Sequence, residues 1–382
     1  MAAPLARLRV APTDETAADR RIPVACPYMP ASAALQPYLE RIDASRWYSN
    51  FGPLNTELEA RLAARLGSDA AGVTVANGTV GLVLALKALG PLVGRRCLMP
   101  AWTFVATAHA VLEAGLEPWF ADVDPWSMAL SPDTARRMLA ASPEPVGAVI
   151  VVAPFGHPID TDGWLRFRAE TGTPVLVDAA AAFDAQTDAR LPLMISLHAT
   201  KTLGVGEGGF VASDDTALID RIRELSTFGF NGSRNSRIPA TNAKLSEYAA
   251  AVGLAALDAW PSTRLRYLLA AQRLRIALSA TPEVEFQPGW GLEWVSSVCV
   301  VRLPSGAVDR IEARLREDGI DTRRWWSQGC QSSPAFADLP RADLAETLRL
   351  ADRVLGIPYA ADMAIDDIDR VAGALARAVA AG

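Results

Sequence analysis

Pro174-Val-Leu-Val-Asp178 is a short apolar run that ends on an acid, and reading it as a buried strand decides the fold. The same character recurs on both sides of it. Upstream, strand-like runs at 72–77, 96–100, 119–122 and 146–153 alternate with helical patterns at 80–89, 107–114, 131–141 and 162–170. Downstream, residues 193–197 and 209–213 add two more strands. Apolar strands alternating with amphipathic helices predict an α/β fold: a mostly parallel, seven-stranded sheet with helices on both faces. In such sheets ligands gather beyond the carboxyl ends of the strands. Asn77, Asp178 and Lys201 all fall at or just after such ends.

A different pattern begins near residue 244. A helix over 245–259 is expected to stop at Pro261 and resume over 264–278. A strand at 295–303, a helix at 307–318 and two late helices at 342–355 and 366–380 complete a smaller α+β unit. The expected division is a large domain, 1–255, and a small C-terminal domain, 256–382. Two domains suit 382 residues, which exceed one ordinary core. Residues 1–21 read as loosely held.

Composition narrows the function classes. Half the residues are hydrophobic and 21% are charged, the profile of a compact globule. A net charge of −6 argues against a nucleic-acid polyanion as the main partner, though not against a small phosphorylated ligand. Cys26, Cys97, Cys299 and Cys330 are scattered, and His109, His157 and His198 share no ligand-like spacing, so no metal site is expected. That cysteine usage points to a reducing cytoplasm. Arg7, Arg9, Arg20 and Arg21 interrupt the N-terminal segment, which leaves no apolar core for a signal peptide. No run is long enough to cross a bilayer.

The chemistry centres on Ser196-Leu-His-Ala-Thr-Lys201-Thr-Leu-Gly-Val-Gly206-Glu-Gly-Gly209. A lysine that leaves a strand for a glycine-rich turn is a candidate Schiff-base former, because desolvation strips its proton and makes it nucleophilic. Taken alone, such a lysine is more often a surface charge. Ala76-Asn77-Gly78-Thr79 joins a strand to a helix; Gly78 and Thr79 suit a phosphate at a helix N-terminus, or Thr79 is a plain N-cap. Asp178, backed by Ala179-Ala-Ala-Ala-Phe183, would hold a pyridine nitrogen protonated, or cap a helix. Pro100-Ala-Trp102-Thr-Phe104 brings aromatics to a strand exit, where they stack on a flat ligand or fill core. The Ser196 hydroxyl is placed to reach a phosphate.

Together these stretches resemble the DegT/DnrJ/EryC1/StrS family of fold-type-I, pyridoxal phosphate-dependent sugar aminotransferases. The resemblance runs from Pro23-Val-Ala-Cys-Pro-Tyr-Met-Pro30 through Asn50-Phe-Gly-Pro53, Asn77-Gly-Thr79 and Thr103-Phe-Val-Ala-Thr107. It continues through Phe120-Ala-Asp-Val-Asp124, Phe155-Gly156, Asp178-Ala-Ala180 and the lysine motif to Thr241-Asn-Ala-Lys-Leu-Ser-Glu247. It implies that Lys201 carries pyridoxal 5′-phosphate and that Asp178 pairs with the ring nitrogen. It further implies Phe104 and Ala180 on the two ring faces, and Gly78, Thr79 and Ser196 on the phosphate. Asn242 matches an asparagine that reaches the neighbouring subunit's phosphate, which implies a homodimer with shared sites.

The implied reaction moves an amino group from an amino acid, glutamate by analogy, to a nucleotide-linked keto-deoxy sugar at its 4-keto carbon. Asn50, Phe51, Arg234, Arg237, Arg323, Arg324 and Trp326 are the candidate substrate contacts, since arginines beside aromatics suit a nucleoside diphosphate. One departure stands out. Relatives often carry glutamine or histidine three residues after the ring-nitrogen acid and histidine two further on; here those positions are Ala181 and Phe183. A cyclitol or secondary-metabolite ketone as acceptor, or a non-catalytic binding homologue, are the alternatives.

Overall fold

The computed structural model describes residues 20–90 and 92–381. Of the stretch expected to be loose, residues 1–19 lie outside the described residues. Arg20 and Arg21 are tied down, by ion pairs to Asp367 and Asp321.

Helices α1 (Ser32–Ser45) and α2 (Pro53–Ala64) precede strand β1 (Ala71–Val75). Then α3 (Gly78–Ala88), β2 (Arg96–Pro100), α4 (Val105–Glu113) and β3 (Glu117–Ala121) alternate. The alternation continues with α5 (Pro132–Ala141), β4 (Val146–Val152), α6 (Thr161–Thr171) and β5 (Val175–Asp178). Strands β6 (Leu193–Ser196) and β7 (Gly209–Ser213) lead to α7 (Thr216–Ser226) and the long α8 (Glu247–Ala277). The rest comprises β8 (Glu285–Phe286), β9 (Cys299–Arg302), α9 (Val308–Glu317), α10 (Ala345–Arg353), β10 (Val354–Ile357) and α11 (Ile365–Ala380).

The first seven strands form one sheet in the order β1-β7-β6-β5-β4-β2-β3. It is parallel from β3 to β6, while β7 runs antiparallel to both of its neighbours. Strand side chains alternate between two separate cores, as the two-residue period requires. Val149, Val151, Val177, Leu193 and Ile195 enter one core; Ile150, Val152, Leu176 and Met194 enter the other, with α3 and α4. By the same alternation Asp178 and Ser196 face the α3 side. β8, β9 and β10 form a second, antiparallel sheet.

Three elements differ from the sequence reading. Pro261 lies inside α8, which continues unbroken from Glu247 to Ala277. A proline inside a helix costs about 3 kcal/mol, yet Leu257, Trp260, Thr263 and Tyr267 are buried on either side of it, and that packing outweighs the penalty. Residue 255 therefore falls within one helix that carries the chain from the large sheet toward the small one. The strand expected over 295–303 shortens to β9, and the helix over 342–355 ends at Arg353. Val354 to Ile357 are all buried and join the small sheet instead, since an apolar run covered on both faces favours a strand. No helix among the described residues is long and apolar enough to cross a membrane.

Candidate active site

Asp178 ends β5 with its side chain turned toward α3 and α4. It is 5% exposed. Thr107, in the first turn of α4, donates its hydroxyl to Asp178 Oδ2 at 2.8 Å, and the Ala180 N–H reaches Oδ1 at 3.2 Å. Thr103 Oγ1 lies 2.9 Å from Thr107 Oγ1 and extends this chain of hydroxyls. Sequence reasoning quoted both threonines without giving them a role; their i, i+4 spacing beside a buried acid was the available signal. The capping alternative for Asp178 is not what forms, because the carboxylate accepts bonds from a turn amide and a neighbouring hydroxyl.

Lys201 leaves β6 through a turn closed by its own N–H to the His198 carbonyl, 2.8 Å away. It is surrounded by protein while part of its side chain stays accessible. Burial lowers its ammonium pKa, opposed by the charge of Asp178. Burial likewise raises the Asp178 carboxyl, opposed by Thr107, the Ala180 amide and Lys201. Both groups are therefore pushed toward their neutral forms, the state in which a lysine amine is a nucleophile.

The α3 N-terminus sits against the same strand edge. Asn77 is the N-cap: its side chain accepts the Val80 N–H at 2.9 Å, and its carbonyl accepts the Gly81 N–H. Thr79 is thus not the cap. Among the described residues no protein acceptor meets the N–H groups of Gly78 and Thr79, which leaves two amides at the positive end of a helix for an anion. Ser196 lies beside them, its Cβ 3.2 Å from where a Gly78 side chain would begin. Its hydroxyl accepts the His198 N–H at 3.3 Å and keeps its own proton to donate. β7 starts flush against this corner because residue 209 is glycine; a Cβ there would come within 2.8 Å of the Asn77 carbonyl oxygen.

Phe104 is the residue just before α4 and is 58% exposed, an aromatic face uncovered three residues from the threonine that holds Asp178. A buried carboxylate, a desolvated lysine, a helix N-terminus with free amides and an uncovered phenyl ring fit a flat, phosphorylated pyridine aldehyde. Each donor matches one part of that group.

The outer residues divide. Trp326 stacks on Phe155 with ring centroids 3.9 Å apart and meets Trp102 edge-on at 5.4 Å, so it joins an aromatic cluster beside the β2 and β4 exits. Trp102 itself is buried, as packing would have it. Asn50 and Phe51 both adopt positive φ, 63° and 53°. Arg234 and Arg237 are exposed on the loop between α7 and α8, and Asn242 is exposed near its end. Arg324 is already engaged by Asp309 and Glu312, and the Arg323 guanidinium lies over Trp325. Phe183 packs into the core on the far face from Asp178, beneath Arg65 and against Trp260. The change at 183 is therefore a matter of core packing.

The sequence profile of the DegT/DnrJ/EryC1/StrS aminotransferase family matches residues 31–376. Protein Rv3402c of Mycobacterium tuberculosis is 31% identical over 383 residues, covering 95% of this chain and 91% of its own. The dTDP-4-amino-4,6-dideoxy-D-glucose transaminase of Escherichia coli is 28% identical, covering 90% and 95%. The solved structure of DesI with its TDP-sugar product is 34% identical, covers 94% of this chain and 93% of that one, and superposes with a TM-score of 0.85. The fold, the lysine–aspartate pair and the profile converge: this chain belongs to the DegT/DnrJ/EryC1/StrS family and is a pyridoxal phosphate-dependent aminotransferase.

Proposed function

We propose that the protein transfers an amino group from an amino acid, glutamate, to the 4-keto carbon of a nucleotide-linked 6-deoxy sugar, as a cytoplasmic homodimer. The observation that carries the chemistry is the buried Asp178 carboxylate, with the partly accessible Lys201 near enough to feel its charge, beside the open amides of α3. The sugar rests on the relatives: one is named for a dTDP-4-amino-4,6-dideoxy sugar, another was solved with a TDP-sugar product.

The work of each side chain follows from its surroundings. The Gly78 and Thr79 amides, the α3 dipole and the Ser196 hydroxyl bind the phosphate. Phe104 offers its ring to one face of the cofactor and Ala180 its methyl to the other. Asp178, oriented by Thr107 and the Ala180 amide, would hold the cofactor's ring nitrogen and favour positive charge there. When bound, pyridoxal phosphate supplies an electron sink for the carbon that loses its proton. Lys201 would hold the cofactor at rest, and its amine, which burial pushes toward the neutral form, would carry the proton between the carbon that loses it and the carbon that gains it. Arg234 and Arg237, with no side-chain partner among the described residues, are free to take the diphosphate. Asn242, exposed in the single chain, would complete the partner's phosphate site.

The test is a coupled assay of purified protein with pyridoxal phosphate, glutamate and dTDP-4-keto-6-deoxy-D-glucose. An aminated nucleotide sugar and 2-oxoglutarate in equal amounts are expected. Formation of 2-oxoglutarate only up to one equivalent per cofactor, with no aminated product from keto sugars across a panel of nucleotides, would replace the sugar with another ketone.

A further inference from the structure

Glu247, the first residue of α8, is buried to 1% exposure, and no cation pairs with it among the described residues. Its two carboxylate oxygens accept backbone N–H groups from the start of another helix: Leu54 at 2.8 Å and Asn55 at 2.9 Å. α2 needs this help. Its N-cap is Gly52, which has no side chain, and its first residue is Pro53, which has no N–H. The two remaining first-turn amides would be orphaned without the carboxylate. Glu247 also donates its own N–H to the Tyr48 carbonyl at 3.1 Å. Gly52 is glycine for the same reason: a Cβ there would lie 2.7 Å from Glu247 Cδ and 2.6 Å from Trp47.

Between the two anchor points, Tyr48 and Leu54, lie Asn50 and Phe51, the pair at positive φ. Such backbone is costly for residues with side chains and persists only where the surroundings enforce it. The other end of the clamp leads to the cofactor side. Four residues before Glu247, the Ala243 carbonyl accepts the Ala76 N–H at 2.7 Å, directly ahead of Asn77 and the open amides of α3. One carboxylate thus fixes the Asn50–Phe51 turn in register with the phosphate corner.

We propose that Glu247 is a positioning residue: it holds the Asn50–Phe51 turn in its strained form and thereby sets the affinity for the amino acceptor. The inference rests on the reading that this turn faces the acceptor. Donor-side chemistry, built on Lys201 and Asp178, does not depend on the turn.

The experiment compares cofactor-loaded wild type and Glu247→Gln. Glutamine keeps one acceptor and turns an NH2 toward the other amide. Amide hydrogen exchange at Leu54 and Asn55 is expected to accelerate at least tenfold, with global unfolding still cooperative. KM for dTDP-4-keto-6-deoxy-D-glucose is expected to rise at least tenfold, while the single-turnover rate with glutamate changes less than threefold. Unchanged exchange overturns the clamp, and so does an equal fall in both half-reactions, which marks a merely structural loss. If glutamine proves too disruptive to fold, Gly52→Ala, whose Cβ would press on the Glu247 carboxylate from 2.7 Å, should speed the same exchange, raise the same KM and spare the glutamate step. Failure of wild type to aminate the sugar overturns the acceptor reading, and the exchange rates still decide the clamp.

Discussion

The cofactor corner and the outer loops are built from different material. Asp178, Ser196, Gly78 and Thr107 stand at the ends or first turns of β5, β6, α3 and α4, where the sheet and two packed cores leave them no freedom. Asn50, Arg234 and Arg237 stand on loops, exposed, outside the helices and strands. The contrast teaches that regular elements can fix one set of groups rigidly, while exposed loops beside them can change without disturbing those elements.

Variants probe that division in order of expected effect. Lys201→Arg should lower turnover by about 10⁴-fold or more, because a guanidinium stays protonated and cannot act as nucleophile or base. Thermal unfolding should remain cooperative; substantial residual transamination would break the scheme. Asp178→Asn should cost about 10²-fold in turnover, the scale of losing one aimed charge in a buried site. It carries a second signature in cofactor-free protein. Burial raises the folded Asp178 pKa, so the acid stabilises the fold below its unfolded pKa, and that stability is lost as pH rises through the folded value. Cofactor-free Asp178→Asn should therefore melt above wild type at neutral pH, with the gap closing on acidification; melting scans from pH 7 downward check this.

The arginines sharpen the loop side. Arg234→Ala or Arg237→Ala should raise KM for a nucleotide sugar by about tenfold, the weight of a charge-assisted phosphate contact. Arg324→Ala should leave that KM within about twofold and cost about 0.5–1 kcal/mol of stability, since its guanidinium is spent on Asp309 and Glu312. Steady-state kinetics beside denaturant titration separate the two outcomes. The smallest effect belongs to Ala181→Gln, which should shift the visible absorbance of bound cofactor while activity stays within about threefold. An unmoved spectrum would mean the side chain at 181 makes no contact with the ring.

The division also explains what the sequence could disclose. Strands were legible because short apolar runs announce them, and Asp178 ends β5 as its run predicts; the run over 193–197 stops one residue earlier, at Ser196. Lys201 was legible from the glycine-rich turn behind it. Arg324 was not, because nothing local says whether an arginine faces solvent, substrate or Asp309. Glu247 hid its role in separation: its partners lie 192 and 193 residues away. Pro261 misled because local propensity knows nothing of the buried Trp260 and Tyr267 that hold the helix together across it. Phe183 read as a gap in the cofactor's contacts, whereas its ring belongs to the opposite core.

One measurement bears on the central claim more directly than any variant. The chain contains three lysines, Lys87, Lys201 and Lys244. Protein incubated with pyridoxal phosphate, reduced with borohydride and digested should yield one phosphopyridoxyl-bearing peptide, the one spanning residue 201, in one equivalent per chain. Label at Lys87 or Lys244 instead, or cofactor that washes away after reduction, would contradict the account.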